Sequence, residues 1–266
     1  MDLGIAGKVA VVTGGSKGIG KAAAIALGRE GCKVAVLARG KNSLDRAAEE
    51  IGAAGADVLA IRADMTDPGQ IELAVRTTIS RFGTIHILVN NVGSVGNAGL
   101  FEELTDRDWQ ELFTLNVMSA VRITRLVLPY MKKQSWGRII NIASESGIQP
   151  DPFMPHYNVT KAALINLSKS LSKACAPFNI LVNTVSPAFI RTPLVEEFMA
   201  QTAKAKGITQ EEAIRDFLEK NRPNIVLGRP GSSEETAAVV VFLASQQAAF
   251  VTGSNYRVDG GSVASL

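Results

Sequence analysis

The chain has 266 residues, of which 46% are hydrophobic and 20% are charged, the balance of a globular protein that buries a large core. The net charge is only +3 and no basic run is longer than Lys132–Lys133, so we expect no nucleic-acid partner. No apolar stretch approaches the roughly 20 residues that span a bilayer. The N-terminus lacks the pattern of a secretion signal, so we expect a cytoplasmic protein without a membrane segment.

The two cysteines, Cys32 and Cys175, lie in unrelated segments and lack the spacing of metal ligands. Free cysteines are among the most buried residue types, so we expect two reduced and mostly buried thiols. A disulfide or a metal role is the less favoured alternative, and we predict no metal site.

Short β-branched apolar runs recur along the chain, and longer stretches with helical periodicity follow them. This alternation predicts βαβ units around a parallel sheet. In chain order the predicted elements are strand Val9–Thr13, helix Gly18–Arg29, strand Lys33–Ala38, helix Ser43–Ala54, strand Val58–Arg62, helix Pro68–Phe82, strand Ile85–Asn90, helix Asp106–Lys132, strand Arg138–Ala143, helix Pro155–Ala174, strand Ile180–Val185, helix Ser233–Ser245 and strand Tyr256–Val258.

Most of these strands are continuously apolar, as expected when helices cover both faces of a sheet. The pattern predicts an α/β, doubly wound fold in a single domain over residues 1–266. The interval 188–230 breaks the alternation with two amphipathic stretches, Val195–Ala205 and Thr209–Lys220. A long insertion is typical of a lid, so we expect residues 188–230 to cover a substrate.

A glycine-rich turn joins the first predicted strand to the first predicted helix. Glycines let the backbone approach a pyrophosphate there, and the helix N-terminus supplies N–H donors and a partial positive charge. A glycine cluster alone is a weak signal, but this position in the chain is the context of a dinucleotide site. The candidate cofactor-binding residues of the turn are Gly14, Ser16, Lys17, Gly18, Ile19 and Gly20.

The second predicted strand ends in Ala38 and is followed by Arg39, where many NAD-binding chains carry an acidic residue for the ribose hydroxyls. The missing carboxylate removes repulsion from a 2′-phosphate, and the Arg39 guanidinium offers a planar charged fork for it. Lys17 is a candidate second cation. Either residue alone is better explained as a solvated charge, but together they predict NADP(H) in preference to NAD(H).

Tyr157 and Lys161 are four residues apart, hence on one helical face, and Ser144 follows the fifth predicted strand. A free phenol with a pKa of about 10 is a poor acid–base catalyst at neutral pH, but a nearby ammonium favours phenolate. In carbonyl reduction Tyr157 would protonate the developing alkoxide, and Ser144 would hold the same oxygen. The alternative interpretation is that Tyr157 and Lys161 are ordinary exposed residues of a helix without a catalytic role.

Several parts of the sequence together resemble the short-chain dehydrogenase/reductase family over essentially the whole chain, namely TGGSKGIG at residues 13–20, NNVG at residues 90–93, Asn116, Ser144, Tyr157 and Lys161. The resemblance implies a Rossmann-type sheet of strand order 3-2-1-4-5-6-7 and a catalytic tetrad of these last four residues. It also implies that Lys161 binds the nicotinamide ribose and that Asn116 keeps a water in a proton relay. Within the family the core is similar to that of 3-oxoacyl-carrier-protein reductases.

The same resemblance implies further cofactor contacts. Asp64 and Met65 look like an adenine-contacting pair, and Asn90 resembles a residue that braces the central strand. Ile190 and Thr192 match positions that hold the nicotinamide carboxamide. The cofactor-binding positions outside the glycine turn are then Arg39, Asp64, Met65, Asn91, Gly93, Tyr157, Lys161, Pro187, Ile190 and Thr192.

Two departures from the family pattern concern the pocket mouth. The usual NNAG reads NNVG, and the usual Pro-Gly after the sixth strand reads Pro187-Ala188. We expect pocket walls from residues 94–97, 149–154, Phe189 and the lid. Glu145 is a candidate substrate contact, with a solvated loop carboxylate as an equal alternative.

The resemblance makes a carbonyl reductase that uses NADPH on a ketone, including a 3-oxoacyl thioester, the leading hypothesis. The alternatives are an NAD(P)⁺-dependent dehydrogenase that oxidises a sugar, steroid or other secondary alcohol, and a non-catalytic NADP(H)-binding sensor. The sensor is disfavoured because binding alone needs neither Tyr157 nor Ser144. Family resemblance also implies a homotetramer, with a dimer as the alternative.

Overall fold

The computed structural model describes residues 2–264 and contains one seven-stranded sheet within them. Its strands are β1 (Val9–Thr13), β2 (Lys33–Ala38), β3 (Val58–Arg62), β4 (Ile87–Asn90), β5 (Gly137–Ile142), β6 (Ile180–Pro187) and β7 (Asn255–Val258). Every neighbouring pair is parallel, and the order β3-β2-β1-β4-β5-β6-β7 confirms the predicted topology.

Nine α-helices connect and flank the strands in the described part of the chain. They are α1 (Gly18–Arg29), α2 (Lys41–Ala53), α3 (Pro68–Phe82), α4 (Asp106–Phe113), α5 (Ser119–Lys133), α6 (Pro155–Cys175), α7 (Pro193–Lys206), α8 (Gln210–Asn221) and α9 (Ser233–Ala244).

Successive residues of β1 face opposite sides of the sheet. Ala10 and Val12 belong to a core cluster with residues of α1, α2 and α9, whereas Val11 belongs to a second cluster with residues of α3 and α5. Both faces are therefore covered by helices, which explains the continuously apolar strands and confirms the doubly wound fold. Because all strands run in one direction, their carboxyl ends meet at one edge of the sheet.

The predicted helix Asp106–Lys132 is interrupted in the structure. A π-helical turn, Thr114–Met118, separates α4 from α5 and contains Asn116. Such turns occur mostly as single insertions in α-helices and often at functional sites. Hydrophobic periodicity did not reveal it, because the residues on both sides of the turn keep helical backbone angles.

Smaller differences concern the ends of elements. Helix α2 begins at Lys41, two residues before the predicted start. Ser43 lies inside its first turn and donates a hydrogen bond over 3.0 Å to the carbonyl oxygen of Gly40. Strand β6 continues to Pro187, which carries the sheet two residues closer to the predicted lid than expected.

One helical run among the described residues, 106–133, is long and apolar enough by length and composition to cross a membrane. Its apolar residues Ile123, Val127 and Met131 are fully buried in the second core cluster. The apolar face of this run therefore covers the sheet, as in any helix of a doubly wound core.

The interval 188–230 contains the two helices expected from its amphipathic stretches, α7 and α8. They pack around a small core of their own that includes Met199, Ile214 and Leu218. Phe189 stacks on Phe217 with ring centroids 4.8 Å apart, which ties the segment after β6 to α8. A bridge between Ile190 and Gly231 holds the two ends of the insertion together.

Candidate active site

A cavity of about 290 Å³ lies at the carboxyl ends of the central strands, under α7. It brings together residues from the glycine turn, the ends of β4, β5 and β6, and helix α6. The predicted site residues on its wall are Ile19, Asn91, Gly93, Ser144, Tyr157, Lys161, Pro187, Ile190 and Thr192.

The glycine turn is a cradle that side chains would fill. A Cβ atom on Gly20 would lie 2.4 Å from Asn91 Nδ2, and one on Gly15 would lie 2.2 Å from Val36 Cγ2. Gly14 and Gly18 have positive φ angles of 64° and 52°, a conformation that favours glycine. The absence of side chains therefore lets a ligand approach the backbone of this turn closely, as the pyrophosphate of a dinucleotide requires.

Helix α1 starts at this cradle without a side-chain cap. Lys17 occupies the capping position in extended conformation, and its side chain makes no capping hydrogen bond. The first N–H groups of α1 are thus left without side-chain acceptors, and an anionic phosphate is the partner that helix N-termini favour. Ser16 is half-buried beside them, and the Lys17 side chain is exposed.

Asn91 fixes the cradle to the end of β4. Its Nδ2 atom donates to the carbonyl oxygens of Thr13 at 3.0 Å and Gly14 at 3.1 Å. The hydroxyl of Thr13 in turn accepts the backbone N–H groups of Asn91 and Val92. The Asn91 amide therefore fixes the turn to the end of β4 and leaves no room for a side chain on Gly20.

A separate polar cavity at the ends of β2 and β3 is lined by Arg39, Arg62, Asp64 and Gln70. Arg62 Nε donates to the backbone carbonyl oxygen of Arg39 over 3.1 Å, and the two arginines line the same cavity. Sequence reasoning found Arg39 but missed Arg62, because only the parallel pairing of Ala38 with Arg62 reveals their proximity. The two cations fit a phosphate on the adenosine ribose.

Asp64 and Met65, the pair predicted to contact the adenine, differ in placement: Asp64 lines this cavity, whereas Met65 is buried in the core. The carboxylate of Asp64 accepts the backbone N–H and hydroxyl of Thr66, and these bonds, chiefly the backbone one, lower its pKa. Met65 is 2% exposed and packs in the second core cluster, so a cofactor contact there falls to its backbone. Lys17 lines neither this cavity nor the one beside Ser144.

Tyr157 and Ser144 both line the cavity under α7. Burial raises the pKa of the Tyr157 phenol, a hydrogen bond from Ser144 works in the opposite direction, and the Glu145 charge adds to the rise. The sequence hypothesis expected a lowered pKa, but desolvation of the phenolate dominates in this pocket. The phenol therefore stays protonated at neutral pH.

Lys161 is 4% exposed, and its ammonium donates to the carbonyl oxygen of Ile142 over 2.9 Å. Its Nζ atom lies 5.6 Å from the centre of the Tyr157 ring, consistent with the predicted common face of α6. Burial lowers the pKa of Lys161 from 10.5 to about 8. The amine is thus close to its titration point under ordinary conditions.

Asn116 lies behind the cavity wall in the π-turn and is 1% exposed. Its Nδ2 atom donates to the carbonyl oxygen of Ser94 at 2.9 Å and to the hydroxyl of Thr160 at 3.0 Å. Its Oδ1 atom accepts the N–H of Ser94 at 2.9 Å. The side chain therefore holds the loop after β4 against the helix that carries Tyr157 and Lys161.

The remaining predicted contacts line the cavity from the side of β6. Pro187 ends this strand, Ile190 is 4% exposed, and Thr192 caps α7 by accepting the N–H of Val195. A Cβ atom on Gly18 would come within 3.2 Å of Thr192 Cγ2, so the glycine turn and the start of α7 are in contact. A cofactor in the cradle would thus reach the start of α7.

Glu145 and Arg222 also line this cavity. Sequence reasoning considered Glu145 as a substrate contact but not Arg222, which follows α8 and gives no motif. Arg222 Nε lies 3.3 Å from Glu145 Oε1, and its Nη2 atom lies 3.0 Å from Asp151 Oδ2. Of the expected wall residues, Ser94, Val95 and Phe189 line this cavity, whereas residues 96–97 and 149–154 do not.

The two histidines lie outside the cavity that Ser144, Tyr157 and Lys161 line. His86 Nδ1 accepts the N–H of Val9 at 3.0 Å, which is a structural contact between strands. His156 is 1% exposed, and its ring packs edge-on against Trp109 with centroids 6.0 Å apart. Neither residue lines the cavity beside Ser144.

A doubly wound sheet with a glycine cradle and a Ser-Tyr-Lys cluster at its strand ends defines a dinucleotide-dependent oxidoreductase. The family model described as short chain dehydrogenase matches residues 8–203. The oxidoreductase YvrD of Bacillus subtilis is 38% identical over 266 residues, covering 100% of each chain. The 3-oxoacyl-[acyl-carrier-protein] reductase FabG of Thermotoga maritima is 34% identical, covering 97% of this chain and 98% of its own.

Among solved structures, L-sorbose reductase from Gluconobacter frateurii, complexed with NADPH and L-sorbose, superposes with a TM-score of 0.95. It is 38% identical, and the match covers 100% of both chains. The chain therefore belongs to the short-chain dehydrogenase family, and it is an oxidoreductase of the kind that acts on alcohol or carbonyl groups.

Proposed function

We propose that this protein reduces a ketone to a secondary alcohol with NADPH. The observation that carries the proposal is the half-buried Tyr157, with a protonated phenol, beside Ser144 and Lys161 in one cavity. A neutral phenol is the form that can donate a proton to a carbonyl oxygen. The similarity to an L-sorbose reductase complexed with NADPH supports the same direction of reaction.

When bound in the glycine cradle, NADPH would supply a hydride to the carbonyl carbon. Ser144 donates a hydrogen bond to the carbonyl oxygen, and Tyr157 transfers its phenolic proton to that oxygen as negative charge develops there. The Lys161 ammonium stabilises the phenolate that Tyr157 becomes, because it is buried on the same side of α6. Asn116 holds the loop after β4 against α6 through its hydrogen bonds to Ser94 and Thr160. We also propose that Asn116 takes part in the proton relay that reprotonates Tyr157.

The preference for NADPH over NADH is part of the proposal. It rests on Arg39 and Arg62 in one cavity and on the absence of an acidic side chain at the end of β2. We propose that Ser16 and Lys17, at the start of α1, bind the phosphates of the cofactor. Gly93, Ile190 and Thr192 are proposed to contact its nicotinamide end. Residues 188–230 are proposed as the lid that closes over the substrate.

The leading alternative reaction is the oxidation of a sugar, steroid or other secondary alcohol with NAD(P)⁺, which would use the same side chains in reverse. Reduction of a 3-oxoacyl thioester is a second candidate, supported by the 34% identity to a FabG reductase. A non-catalytic nucleotide sensor would need no phenol, hydroxyl and amine arranged in one cavity.

The direct test is a panel of ketones, 3-oxoacyl thioesters and secondary alcohols assayed with NADPH, NADH, NADP⁺ and NAD⁺ on the purified protein. We expect turnover of ketones with NADPH. Turnover confined to alcohols with NAD⁺ would replace the proposal by the oxidative alternative, and binding of NADPH without turnover of any compound would favour a sensor.

We also propose a cytoplasmic homotetramer, with a dimer as the alternative. The α5 and α6 surfaces share an apolar groove that includes Val121, Leu128, Leu167 and Leu171. Phe250, which precedes β7, is fully exposed. A mass of four chains in light scattering would support the proposal, and a monomeric mass would contradict it.

A further inference from the structure

Arg222 joins the proposed lid to the loop that connects Ser144 with α6, the helix of Tyr157. It follows α8, and its two ion pairs reach back to Glu145 and Asp151. Glu145 directly follows Ser144, whereas Asp151 lies in the last part of the loop, shortly before α6 begins. One guanidinium from a distant segment therefore holds this loop at its start and near its end.

The start of the loop sets the position of the Ser144 hydroxyl. Ser144 caps the short 3-10 turn Glu145–Gly147, and its hydroxyl oxygen accepts the N–H of Ser146 at 3.2 Å. A Cβ atom on Gly147 would lie 2.8 Å from the backbone carbonyl carbon of Lys161, so the turn packs directly on α6. A shift of this turn would therefore move the hydroxyl relative to the helix that carries the phenol.

The end of the loop is fixed to α6 through Asp151. Its backbone carbonyl oxygen accepts a 2.7 Å hydrogen bond from Nδ2 of Asn158, the residue after Tyr157. Its Oδ1 atom accepts the N–H of Phe153 at 2.9 Å, and its Oδ2 atom faces Arg222. Arg222 therefore acts on both parts of the loop, the turn at Ser144 and the approach to Tyr157.

The ion pairs of Arg222 are shielded from water more than others of the lid. The Glu145 and Asp151 side chains are 7% and 18% exposed, whereas Arg229 and Glu235, which form another ion pair, are 53% and 44% exposed. An ion pair between exposed side chains contributes little, but removal of one member of a buried pair leaves an uncompensated charge. Arg222 should therefore constrain the loop far more than Arg229 constrains its surroundings.

We propose that Arg222 is a positioning residue for Ser144: from the lid it holds the loop between Ser144 and α6 so that the Ser144 and Tyr157 hydroxyls reach the same substrate oxygen. This inference rests on the proposed ketone reduction and adds a residue that acts on the reaction through Ser144. It also makes the placement of Ser144 depend on the lid, which is distant from it in the chain.

The test is a double-mutant cycle of Arg222→Gln and Ser144→Ala, measured at saturating NADPH with a ketone that the wild-type protein reduces. Arg222→Gln alone should lower kcat about 10- to 100-fold, because a small displacement of a reacting group can cost about 100-fold in rate. In the Ser144→Ala background the same substitution should lower kcat much less, since the hydroxyl that Arg222 positions is absent.

Two further measurements separate positioning from a general loss of structure. Arg222→Lys keeps the positive charge and should recover part of the kcat that Arg222→Gln loses. The dissociation constant for NADPH, measured by fluorescence, should change little in each variant, because Arg222 makes no contact with the glycine turn or with Arg39. An equal loss of kcat with and without the Ser144 hydroxyl would make Arg222 independent of Ser144 and overturn the proposal.

Arg229→Gln is the matched control. It also removes an arginine of the interval 188–230, but its partner Glu235 lies in α9 and not in the loop after Ser144. We expect a much smaller loss of kcat than in Arg222→Gln, and one that is independent of Ser144→Ala. A loss equal to that of Arg222→Gln would show that any loosening of the lid is sufficient, and the specific role of Arg222 would be wrong.

Asp151→Asn tests the same link without removal of the arginine, and it serves if Arg222→Gln does not fold. The amide can still accept the N–H of Phe153, but the ion pair with Arg222 is lost. We expect a smaller loss of kcat than in Arg222→Gln, again reduced in the Ser144→Ala background. An unchanged kcat in Asp151→Asn and in every folded Arg222 variant would contradict the proposal.

Failure of this inference and failure of the proposed function are distinguishable. If the wild-type protein reduces ketones but the Arg222 and Ser144 substitutions act independently, only the positioning role is wrong. If the wild-type protein reduces no ketone with NADPH, the proposed reduction itself is wrong. The same cycle, run with NADP⁺ and an alcohol that the protein oxidises, then decides the role of Arg222, and a complete lack of turnover overturns both proposals.

Discussion

The Lys161 ammonium donates a 2.9 Å hydrogen bond to the carbonyl oxygen of Ile142, the last residue of β5. This bond ties the helix that carries Tyr157 to the strand that leads to Ser144. The Tyr157 and Ser144 hydroxyls, which we propose bind the same substrate oxygen, are therefore positioned by Lys161. Lys161 is itself buried and titratable.

A buried ammonium should make the stability of the protein depend on pH. The pKa of Lys161 falls from 10.5 to about 8 on folding because of burial. Between these values the unfolded chain binds more protons than the folded one, so stability rises with pH. Relative to Lys161→Met, the wild-type free energy of unfolding should increase by about 3 kcal/mol from about pH 7 to about pH 10.5.

Denaturant titrations of both proteins at the two pH values measure this difference. Lys169→Met is the matched control, because Lys169 is an exposed lysine of the same helix. We expect no comparable rise with the control. An equal pH dependence for both methionine variants would show that Lys161 is not a desolvated charge.

Tyr157→Phe should separate catalysis from nucleotide binding. Removal of the general acid is expected to lower kcat for ketone reduction by about 1,000-fold, within the usual contribution of proton transfer. The dissociation constant for NADPH, measured by fluorescence, should change little, since the aromatic ring remains. Full activity in this variant would exclude Tyr157 as the proton donor.

Arg39→Asp should shift the cofactor preference from NADPH toward NADH. The carboxylate would repel a 2′-phosphate and accept hydrogen bonds from ribose hydroxyls. The ratio of kcat/KM for NADPH to that for NADH should fall by at least about 10-fold, in line with the loss of a charge-assisted hydrogen bond.

Arg62→Ala tests the cation that only the structure revealed. It should lower the same NADPH preference, by less than Arg39→Asp because it removes attraction without adding repulsion. If kcat/KM for NADPH is unchanged in both Arg39→Asp and Arg62→Ala, the 2′-phosphate does not bind in the cavity that these two arginines line.

Gly20→Ala should abolish dinucleotide binding while leaving the sheet intact. Its Cβ atom would lie 2.4 Å from Asn91 Nδ2 and 2.5 Å from the carbonyl oxygen of Gly14, so the cradle must distort. Gly52→Ala is the control. Gly52 lies inside α2, and a Cβ atom there would approach only Val58 Cγ1, at an ordinary contact distance of 3.6 Å. The control should bind NADPH normally and gain about 0.5–1 kcal/mol of stability.

Local patterns in the sequence determined much of the fold. Strands β1, β2 and β3 and helices α1 and α3 have the predicted bounds, because apolar run length and helical period are properties of neighbouring residues. The order of the strands came from the family resemblance and is confirmed. The π-turn around Asn116 was not predicted, since a single inserted residue barely alters helical periodicity.

Helical spacing in the sequence put Tyr157 and Lys161 on one helix face, and the family resemblance added Ser144 to the same candidate site, whose wall all three residues line. Only the tertiary structure paired Arg222 with Glu145 and Arg62 with Arg39, because those contacts join residues that are distant in the chain. It also decided the direction of the Tyr157 pKa shift. That direction depends on how completely the surrounding residues exclude water, which no short segment of sequence encodes.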